Sequence, residues 1–269
     1  MSLIIVDSII CHCYSGKIRM CGKSTSSKSS IINYYIPMSE IKQIKKYGNG
    51  LVLQKDRLYF IKSVRKMIDN PCQQNKIPEI KCSENIIQFA VCDDRVIGVF
   101  EYYLMIWDDF DAPQSPISKK YVLNIFCPYP GYIYLQNIYD CVEKFDIDTC
   151  EIESFSTYLH ALDIQLNSKN EEIILTYDCI YYPGSYKTLK EPGKILVLHN
   201  DNILYSEGKK IFLNSECVKE VEYKISALCQ SDSITILYST DFHIYPIDLR
   251  TLYKPLKLRR GEDLYFEFE

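Results

Sequence analysis

Short apolar runs separated by tight polar turns follow one another along the whole chain. The clearest stretch contains the runs 86–92, 95–100 and 104–107, with polar turns at 93–94 and 101–103. Runs of this length, rich in β-branched and aromatic residues and bounded by turns, are typical of β-strands. Few segments place apolar residues at helical spacing, and only 62–69 is predicted to form a short helical turn. The pattern therefore predicts a chain built from strands.

The strands recur as a unit in which a turn is followed, four or five residues later, by an aromatic residue. In the first unit a methionine replaces the aromatic residue. The turns lie near positions 16, 56, 103, 140, 178, 208 and 241, at intervals of 30 to 47 residues. A repeat of that length made of strands indicates blades arranged around an axis. The sequence thus predicts an all-β fold, a seven-bladed β-propeller of short antiparallel sheets that forms one domain over residues 1–269.

Three strands are readable in every unit, and a fourth is weak, as at 152–158 and 215–223. The readable strands are 3–6, 9–14, 17–21; 40–45, 51–54, 57–62; 86–92, 95–100, 104–107; 121–126, 132–136, 141–146; 162–166, 172–176, 179–182; 195–199, 203–205, 210–213; and 225–229, 234–238, 242–247. Because so few residues precede the first turn, the first blade is expected to begin mid-blade and to lack a strand. The tail 251–269 has strand candidates at 256–259 and 264–268, so we expect it to close the ring by pairing with the N-terminal blade.

The third unit, which ends in Trp107-Asp108, resembles a WD repeat, whose last regular strand ends in Trp-Asp after a turn that bears Asp. Residues at the turn-Asp position of that family are Asp56, Asp140, Asp178 and Asp241. Residues that stand where the family has Trp are Phe60, Phe145, Tyr182, Phe212 and Tyr245. No repeat contains the Gly-His pair, so the family's Asp–His–Ser/Thr–Trp hydrogen-bond tetrad is incomplete in every blade. The resemblance implies a rigid platform on which other proteins assemble.

A second propeller type, that of the chromosome condensation regulator, is the rival interpretation. It is suggested by the segments 40–44, 50–53 and 57–60. Repeats of that type are longer and much richer in glycine than this chain, which has only 10 glycines. We rank it second, and it would imply a guanine nucleotide exchange factor for a small GTPase.

Composition agrees with a globular β-rich protein, since 47% of the residues are hydrophobic, 25% are charged and 23 are tyrosines. The net charge of −4 makes nucleic acid unlikely as the main direct partner. No apolar run approaches the roughly 18 residues of a membrane-spanning helix, so no span is expected.

Twelve cysteines are many for this length. The N-terminal segment lacks the basic region and cleavage site of a secretory signal. Several cysteines also lie in predicted strands at positions that favour a small apolar residue. We therefore expect reduced thiols and an intracellular protein, cytoplasmic or nuclear.

Catalytic and metal chemistry has little support in the sequence. Cys11-His12-Cys13 is the best metal candidate, but alternation on a strand puts the two cysteines on one face and His12 on the other. The expectation is an inward cysteine pair with an outward histidine. No nucleophile motif, phosphate loop or zinc spacing occurs. The sequence predicts a protein that is not an enzyme, with no catalytic residue, no metal site, no cofactor and no evident small-molecule substrate.

Two charged segments are the candidates for partner binding. Asp108, Asp109, Phe110 and Asp111 could form an acidic rim with an aromatic anchor for a basic partner. A local basic cluster is formed by Lys254, Lys257, Arg259 and Arg260. The sequence favours a non-catalytic protein–protein interaction scaffold, an accessory subunit of a larger intracellular complex. The alternatives left open are an RNA-binding or supporting subunit of an RNA-modifying or RNA-processing enzyme, the exchange factor, and an enzyme with a site at the channel mouth.

Overall fold

The computed structural model describes residues 2–23, 31–70, 77–80, 84–109, 112–113, 115–119, 121–129, 131–139, 141–157, 160–191, 193–198, 200–232, 235–240 and 243–252. This part of the chain is almost entirely extended. It contains 27 strands and two short helices.

The strands, numbered in chain order, are β1 (Ser2–Val6), β2 (Ile9–Tyr14), β3 (Lys17–Lys23), β4 (Ile31–Tyr35), β5 (Gln43–Tyr47), β6 (Gly50–Gln54), β7 (Leu58–Ile61), β8 (Gln88–Cys92), β9 (Arg95–Val99), β10 (Tyr103–Asp109), β11 (Ala112–Pro113), β12 (Ile117–Ser118), β13 (Val122–Tyr129), β14 (Tyr132–Asn137), β15 (Cys141–Asp146), β16 (Ile152–Thr157), β17 (Asp163–Leu166), β18 (Glu172–Leu175), β19 (Cys179–Tyr182), β20 (Ser185–Thr188), β21 (Ile195–Val197), β22 (Ile203–Glu207), β23 (Lys210–Leu213), β24 (Glu216–Glu220), β25 (Ala227–Gln230), β26 (Thr235–Ser239) and β27 (Ile244–Asp248). The helices are α1 (Val64–Asp69) and α2 (Leu249–Leu252).

These strands form seven antiparallel sheets, each a continuous segment of the chain. The blades are β1–β4, β5–β7, β8–β12, β13–β16, β17–β20, β21–β24 and β25–β27. The second blade is extended by residues 78–80, because Phe60 N donates to Pro78 O (2.9 Å) and Ile80 N donates to Leu58 O (2.8 Å). Every strand predicted within the seven units corresponds to an observed one, and the weak fourth strands at 152–158 and 215–223 are β16 and β24. The strand candidates at 256–259 and 264–268 lie outside the described residues.

The seven sheets are arranged as a closed ring. The first strand of each blade packs against the first strand of the next blade, and β25 packs in the same way against β1. These seven strands surround a central channel, which confirms the predicted seven-bladed β-propeller.

The expectation that the N-terminal blade lacks a strand is wrong. Strands β1–β4 supply four strands from residues 2–35, because the turn at Asp7 and Ser8 folds β1 directly onto β2. Both turn residues take positive φ values (49° and 60°), which a two-residue hairpin of this kind requires. Among the described residues the ring closes by packing of β1 on β25. The tail from residue 253 onward, predicted to pair with the first blade, lies outside the described residues.

The core lies between the blades. All five residues of β6 are buried, because the middle strands of a blade are covered on both faces by neighbouring blades. Burying one Leu, Ile or Val side chain in this way contributes about 1.5–3 kcal/mol. At Gly50 the backbone is so close to the next strand that a Cβ atom would lie 2.0 Å from Ile61 O. Only glycine fits that position.

The same two-sided burial corrects the expectation of an outward histidine on β2. His12 is 1% exposed, as deeply buried as Cys11 and Cys13 on the opposite face of the strand. Alternation turns a side chain to solvent only where one face of a sheet is open, and here neither face is. The His12 ring stacks on Tyr14 at 5.1 Å. Burial, together with the nearby charge of Arg19, lowers the pKa of His12 to about 4, so the ring is neutral at pH 7.

Amide side chains connect neighbouring blades. Gln54 Nε2 donates to Ile86 O (2.9 Å), from the second blade to the third. Gln165 Nε2 donates to Ile195 O (2.9 Å), and Gln165 Oε1 accepts from Val197 N (2.8 Å), from the fifth blade to the sixth. The second pair satisfies backbone groups on the inner edge of β21, which has no strand on that side.

The third blade holds the only tryptophan of the sequence. Trp107 is 1% exposed and lies against Phe100 (ring centroids 6.4 Å apart) and over Gly98, where a Cβ would approach within 2.8 Å of the indole ring. The indole Nε1 has no hydrogen-bond partner among the described residues. Trp107 therefore stabilises its blade by packing rather than through a polar tetrad.

The helices are minor elements. Ser63 caps α1, where its hydroxyl accepts from Lys66 N (3.3 Å), and Val64, Met67 and Ile68 of α1 are buried against the first two blades. In the described part of the chain neither helix is long and apolar enough to cross a membrane.

Candidate functional site

Both faces of the ring can be assigned from the strand directions. Each blade is an antiparallel meander, so the start of its first strand, the end of its second and the start of its third lie on one side. We call this side the upper face. The opposite side, where each first strand ends, is the lower face.

Only part of the predicted acidic rim lies within the described residues. Asp108 lies near the lower face, 51% exposed, and its Oδ1 is 3.1 Å from Arg95 Nε. Arg95 also contacts Asp148 of the fourth blade (2.5 Å). Asp108 is thus part of a charged contact between blades. The side chain of Asp109 and all of Phe110 and Asp111 lie outside the described residues, as do Lys254, Lys257, Arg259 and Arg260.

The two segments remain predictions as partner-binding sites.

A different surface stands out on the upper face. Of the eleven large hydrophobic residues that are exposed in the described part of the chain, nine lie there. They are Tyr35, Ile87, Tyr102, Tyr121, Leu123, Ile138, Tyr139, Tyr177 and Tyr223. The two others are Ile152 near the lower face and Tyr186 on the outer strand of the fifth blade.

Seven of the nine belong to blades three to five, and backbone hydrogen bonds connect much of this region. We call Ile87, Tyr102, Tyr121, Leu123, Ile138, Tyr139 and Tyr177 the upper-face patch. Lys119 N donates to Tyr102 O (3.0 Å), and Ile138 N donates to Tyr121 O (3.0 Å). The first bond lies within the third blade and the second within the fourth, so each fixes the backbone of the exposed residues of its own blade.

Two exposed aromatic residues on this face have an uncommon backbone conformation. Tyr121 directly precedes the first strand of blade four, and His160 lies three residues before the first strand of blade five; both have positive φ values, 63° and 54°. Glu40 takes the same conformation (63°) in the connection to the second blade. Non-glycine residues adopt this region rarely. The recurrence shows that the connection itself requires the conformation, and the result here is an exposed ring at each site.

Next to the patch, the aromatic surface continues on the fifth blade. The Tyr177 and His160 rings meet edge to face at 5.8 Å. On the first blade the upper face also carries an open cleft of about 430 Å³, lined by Tyr14, Lys17 and residues 35–39.

Charges on the upper face are partly neutralised within the protein. Lys119 Nζ contacts Glu143 (2.9 Å), and the Tyr102 hydroxyl donates to Glu101 (2.6 Å). That hydrogen bond raises the pKa of Tyr102, so its hydroxyl stays protonated at neutral pH. The patch itself consists of tyrosine, isoleucine and leucine residues, so it contains no acidic or basic side chain.

No group of three or more His, Cys, Asp or Glu residues that could hold a metal ion occurs in the described ranges. The predicted metal candidate on β2 is packed in the core, with Cys11 and His12 facing opposite sides. Burial raises the pKa of the Cys11 thiol to about 12, which favours the neutral thiol over the thiolate that binds metals.

Comparison with known proteins identifies the fold. No protein-family model matches the chain, and no curated protein matches its sequence. Among solved structures it is similar to the crystal structure of the WD40 β-propeller domain of Doa1, with a TM-score of 0.61 and 10% identity over 90% of each chain. Identity this low shows the fold alone. It confirms at that level the resemblance to WD repeats inferred from Trp107-Asp108.

Sequence reasoning missed the upper-face patch. A signal was present, because Tyr102, Tyr139 and Tyr177 all lie in the turn between the second and third strands of consecutive blades. Turn residues are usually polar. An aromatic residue at the same turn of three successive units is therefore informative.

Proposed function

We propose that this protein is a non-catalytic interaction platform, an accessory subunit of a larger protein complex, and that it binds its partner through the upper-face patch. The proposal rests on one observation, the concentration of exposed large hydrophobic residues on one face of the ring. Contiguous apolar surface that a monomer leaves open usually marks an interaction site.

The composition of the patch supports a protein partner. Tyrosine is enriched in protein interfaces because its ring buries a large apolar area while the hydroxyl keeps a hydrogen bond. Four of the seven patch residues are tyrosines. Beside them, the Lys119 ammonium is paired with Glu143 (2.9 Å), so binding through this surface should depend weakly on salt.

Rigidity supports the same conclusion. Backbone hydrogen bonds within each blade hold Tyr102, Tyr121 and Ile138, and each of these residues follows or precedes a strand packed in the ring. A surface that is already ordered loses little conformational entropy when a partner binds.

The experiment compares two double variants. Tyr102→Ser with Tyr139→Ser removes exposed aromatic area from the centre of the patch, where these residues are 52% and 70% exposed. Ile152→Ser with Tyr186→Ser is the matched control, because these residues are 47% and 67% exposed but lie elsewhere. Each protein and the native chain are purified by affinity from the native cell, and the co-purifying proteins are quantified by mass spectrometry.

We expect at least one partner to be recovered with the native chain and the control, and to fall about tenfold or more with the patch variant. Circular dichroism and thermal unfolding establish that all three proteins are folded. Equal recovery with both variants would contradict the assignment of this face. If the native chain recovers no partner, the proposed platform function itself is wrong.

A further inference from the structure

Two thiols from neighbouring blades lie against each other beside the central channel. Cys92 ends β8, the first strand of the third blade, and Cys127 belongs to β13, the first strand of the fourth. The two strands pack side by side in the ring, and the two side chains share a hydrogen bond. Both residues are free thiols in the structure. Sulfur atoms in such contact need only a small further approach to form a disulfide bond of about 2.0 Å.

The position of Cys127 follows from the strand pattern. Ile125 and Cys127 lie on the same face of β13, and both pack in the core cluster that also contains Cys92. A β-bulge follows at once, because Cys127 and Pro128 together stand opposite Ile133 alone. A bulge interrupts the regular ladder and bends its strand. Cys127 can therefore move slightly towards the third blade without a change in the register of the whole strand.

Backbone groups hold the Cys92 side of the contact. The Cys92 thiol donates to Tyr132 O (3.7 Å). The carboxylate of the next residue, Asp93, accepts from Gly131 N (3.0 Å). The turn after β8 is thus attached to the turn between β13 and β14, which keeps the two sulfur atoms together.

The contact also changes the acidity of the thiols. The hydrogen bond between them lowers the pKa of Cys92, against the effect of burial, and raises the pKa of Cys127. The Gly131 N–H and the charge of Arg95 further lower the pKa of Cys92. At Cys11, by contrast, burial alone raises the pKa to about 12. The pair therefore yields a thiolate, the form that reacts with oxidants, more readily than an ordinary buried cysteine.

A small polar oxidant has a route to the pair. Cys127 is partly exposed and lines an open cavity of about 330 Å³ in the central channel. Lys45, Asp163 and Gln165 also line this cavity, which suits a molecule similar to water in size and polarity. Cys92 is 1% exposed and is reached from its contact with Cys127.

We propose that Cys92 and Cys127 form a reversible oxidation site, in which hydrogen peroxide converts the two thiols into a disulfide that joins the third and fourth blades. The site does not depend on the upper-face patch. The two cysteines are 35 positions apart in the printed sequence, and only the packing of two blades brings them together.

The reaction has two steps. One sulfur, as its thiolate, attacks a peroxide oxygen, so that an S–O bond forms, the O–O bond breaks, and the departing hydroxide takes up the proton released by that thiol. The other cysteine sulfur then attacks the sulfenic sulfur, the S–S bond forms, the S–O bond breaks, and a second water leaves with the remaining thiol proton. The two thiols lose two electrons and two protons in total, and the peroxide is reduced to two molecules of water. A thiol reductant reverses the change by disulfide exchange.

Peptide mapping of the full chain tests the proposal. The reduced protein is treated with hydrogen peroxide, its remaining thiols are alkylated, and the digest is analysed by mass spectrometry. We expect two peptides joined through Cys92 and Cys127, in a chain that stays monomeric on a non-reducing gel, and their separation by dithiothreitol. Oxidation of this pair should be about tenfold or more faster than oxidation of Cys141.

Variants connect the product to the pair. Cys127→Ser removes one sulfur at a partly exposed position and should abolish the joined peptides. Cys141→Ser is the matched control, because Cys141 is also a partly exposed cysteine of the fourth blade, and its thiol donates to Tyr139 O (3.9 Å). The control should form the joined peptides in the native yield. If Cys127→Ser fails to fold, the native chain and the control still decide the question.

Two results would overturn the inference. The first is the absence of the joined peptides from the treated native chain, whether Cys92 and Cys127 stay reduced or are oxidised to sulfinic and sulfonic acids. The second is a disulfide between either residue and another cysteine in comparable yield. Neither result affects the upper-face proposal, which the recovery of partner proteins tests separately.

Discussion

The upper and lower faces of the ring use their side chains in different ways. On the lower face, polar groups reach from one blade to the next. Arg95 contacts Asp148, and the Ser168 backbone and hydroxyl both donate to Asp201 (2.7 and 2.5 Å). On the upper face, blades three to five leave tyrosines such as Tyr139 without such contacts across the blades and largely exposed.

This difference shows that the propeller itself does not dictate the patch. Both faces are made of the same short turns between the same strands, and the upper face also has a polar link between blades, from Lys119 to Glu143 (2.9 Å). The lower face holds blades together with exposed polar groups, each of small energetic effect. The upper face leaves an apolar surface exposed, which gives no stability to the folded monomer. A binding partner would give that surface a role.

The largest expected effect concerns the packing below both faces. Trp107→Ala should lower the free energy of unfolding by about 3–5 kcal/mol, because it leaves a cavity beside Phe100 and Gly98. Tyr102→Ala, an exposed aromatic residue of the same blade, should change it by less than about 0.5 kcal/mol. Urea unfolding of both variants measures the contrast. Similar losses would show that Tyr102 is structural and would remove the distinction between the faces.

A second prediction uses acid to separate core from lower face. Because the pKa of His12 is lowered from 6.5 to about 4 in the folded state, the unfolded chain takes up a proton that the folded chain does not between these values. Stability is therefore complete above pH 6.5 and falls by up to about 3 kcal/mol as the pH drops to 4. Urea unfolding across this range checks the fall, and His12→Gln should flatten it.

Acid acts on the lower face at lower pH. Hydrogen bonds hold the pKa values of Asp146 and Asp201 below their ordinary value, and contacts with Lys144 and Tyr132 do the same for Glu153. Their stabilisation is present at neutral pH and is lost as these groups are protonated at about pH 4 and below. The His12→Gln variant should keep this second decline. A native-like decline above pH 5 in that variant would show that His12 is not its cause.

The strands could be predicted because their signals are local. An apolar run such as that of β6 and a turn such as Asp93-Asp94 are visible within ten residues, and the repeat spacing then gives the number of blades. Whether a side chain is exposed to solvent is decided by residues that are distant in the sequence. Tyr139 of the fourth blade and Tyr205 of the sixth are the same residue type, yet Tyr205 is fully buried and Tyr139 is 70% exposed.

The burial of His12 shows the same limit. Alternation predicts which side of a strand a residue occupies, but only the neighbouring blade decides whether that side meets water. The interaction candidates in the sequence were charged segments. Among these candidate residues only Asp108 has a described side chain. It is partly exposed and also contacts Arg95.

A smaller effect is expected from the charged contact between blades three and four. Arg95→Gln removes the contacts to Asp108 and Asp148, and because these groups are partly or largely exposed, the loss should be below about 1 kcal/mol. The difference from the native chain should shrink further in 1 M salt, where exposed charges are screened. Thermal unfolding at low and high salt measures both. A loss above 2 kcal/mol, independent of salt, would mean that the lower face is as critical as the core.

The smallest change in stability is expected for the patch itself. Tyr102→Ser with Tyr139→Ser should leave the free energy of unfolding within about 0.5 kcal/mol of the native value, because both side chains are more than half exposed. Surface hydrophobicity should change instead. Retention on a hydrophobic interaction column should fall more than for Ile152→Ser with Tyr186→Ser, since a contiguous surface binds the resin through several residues at once, whereas isolated ones bind singly. Equal retention of the two variants would mean that the seven residues do not act as one surface, and the contrast between the faces would then reduce to the polar contacts of the lower one.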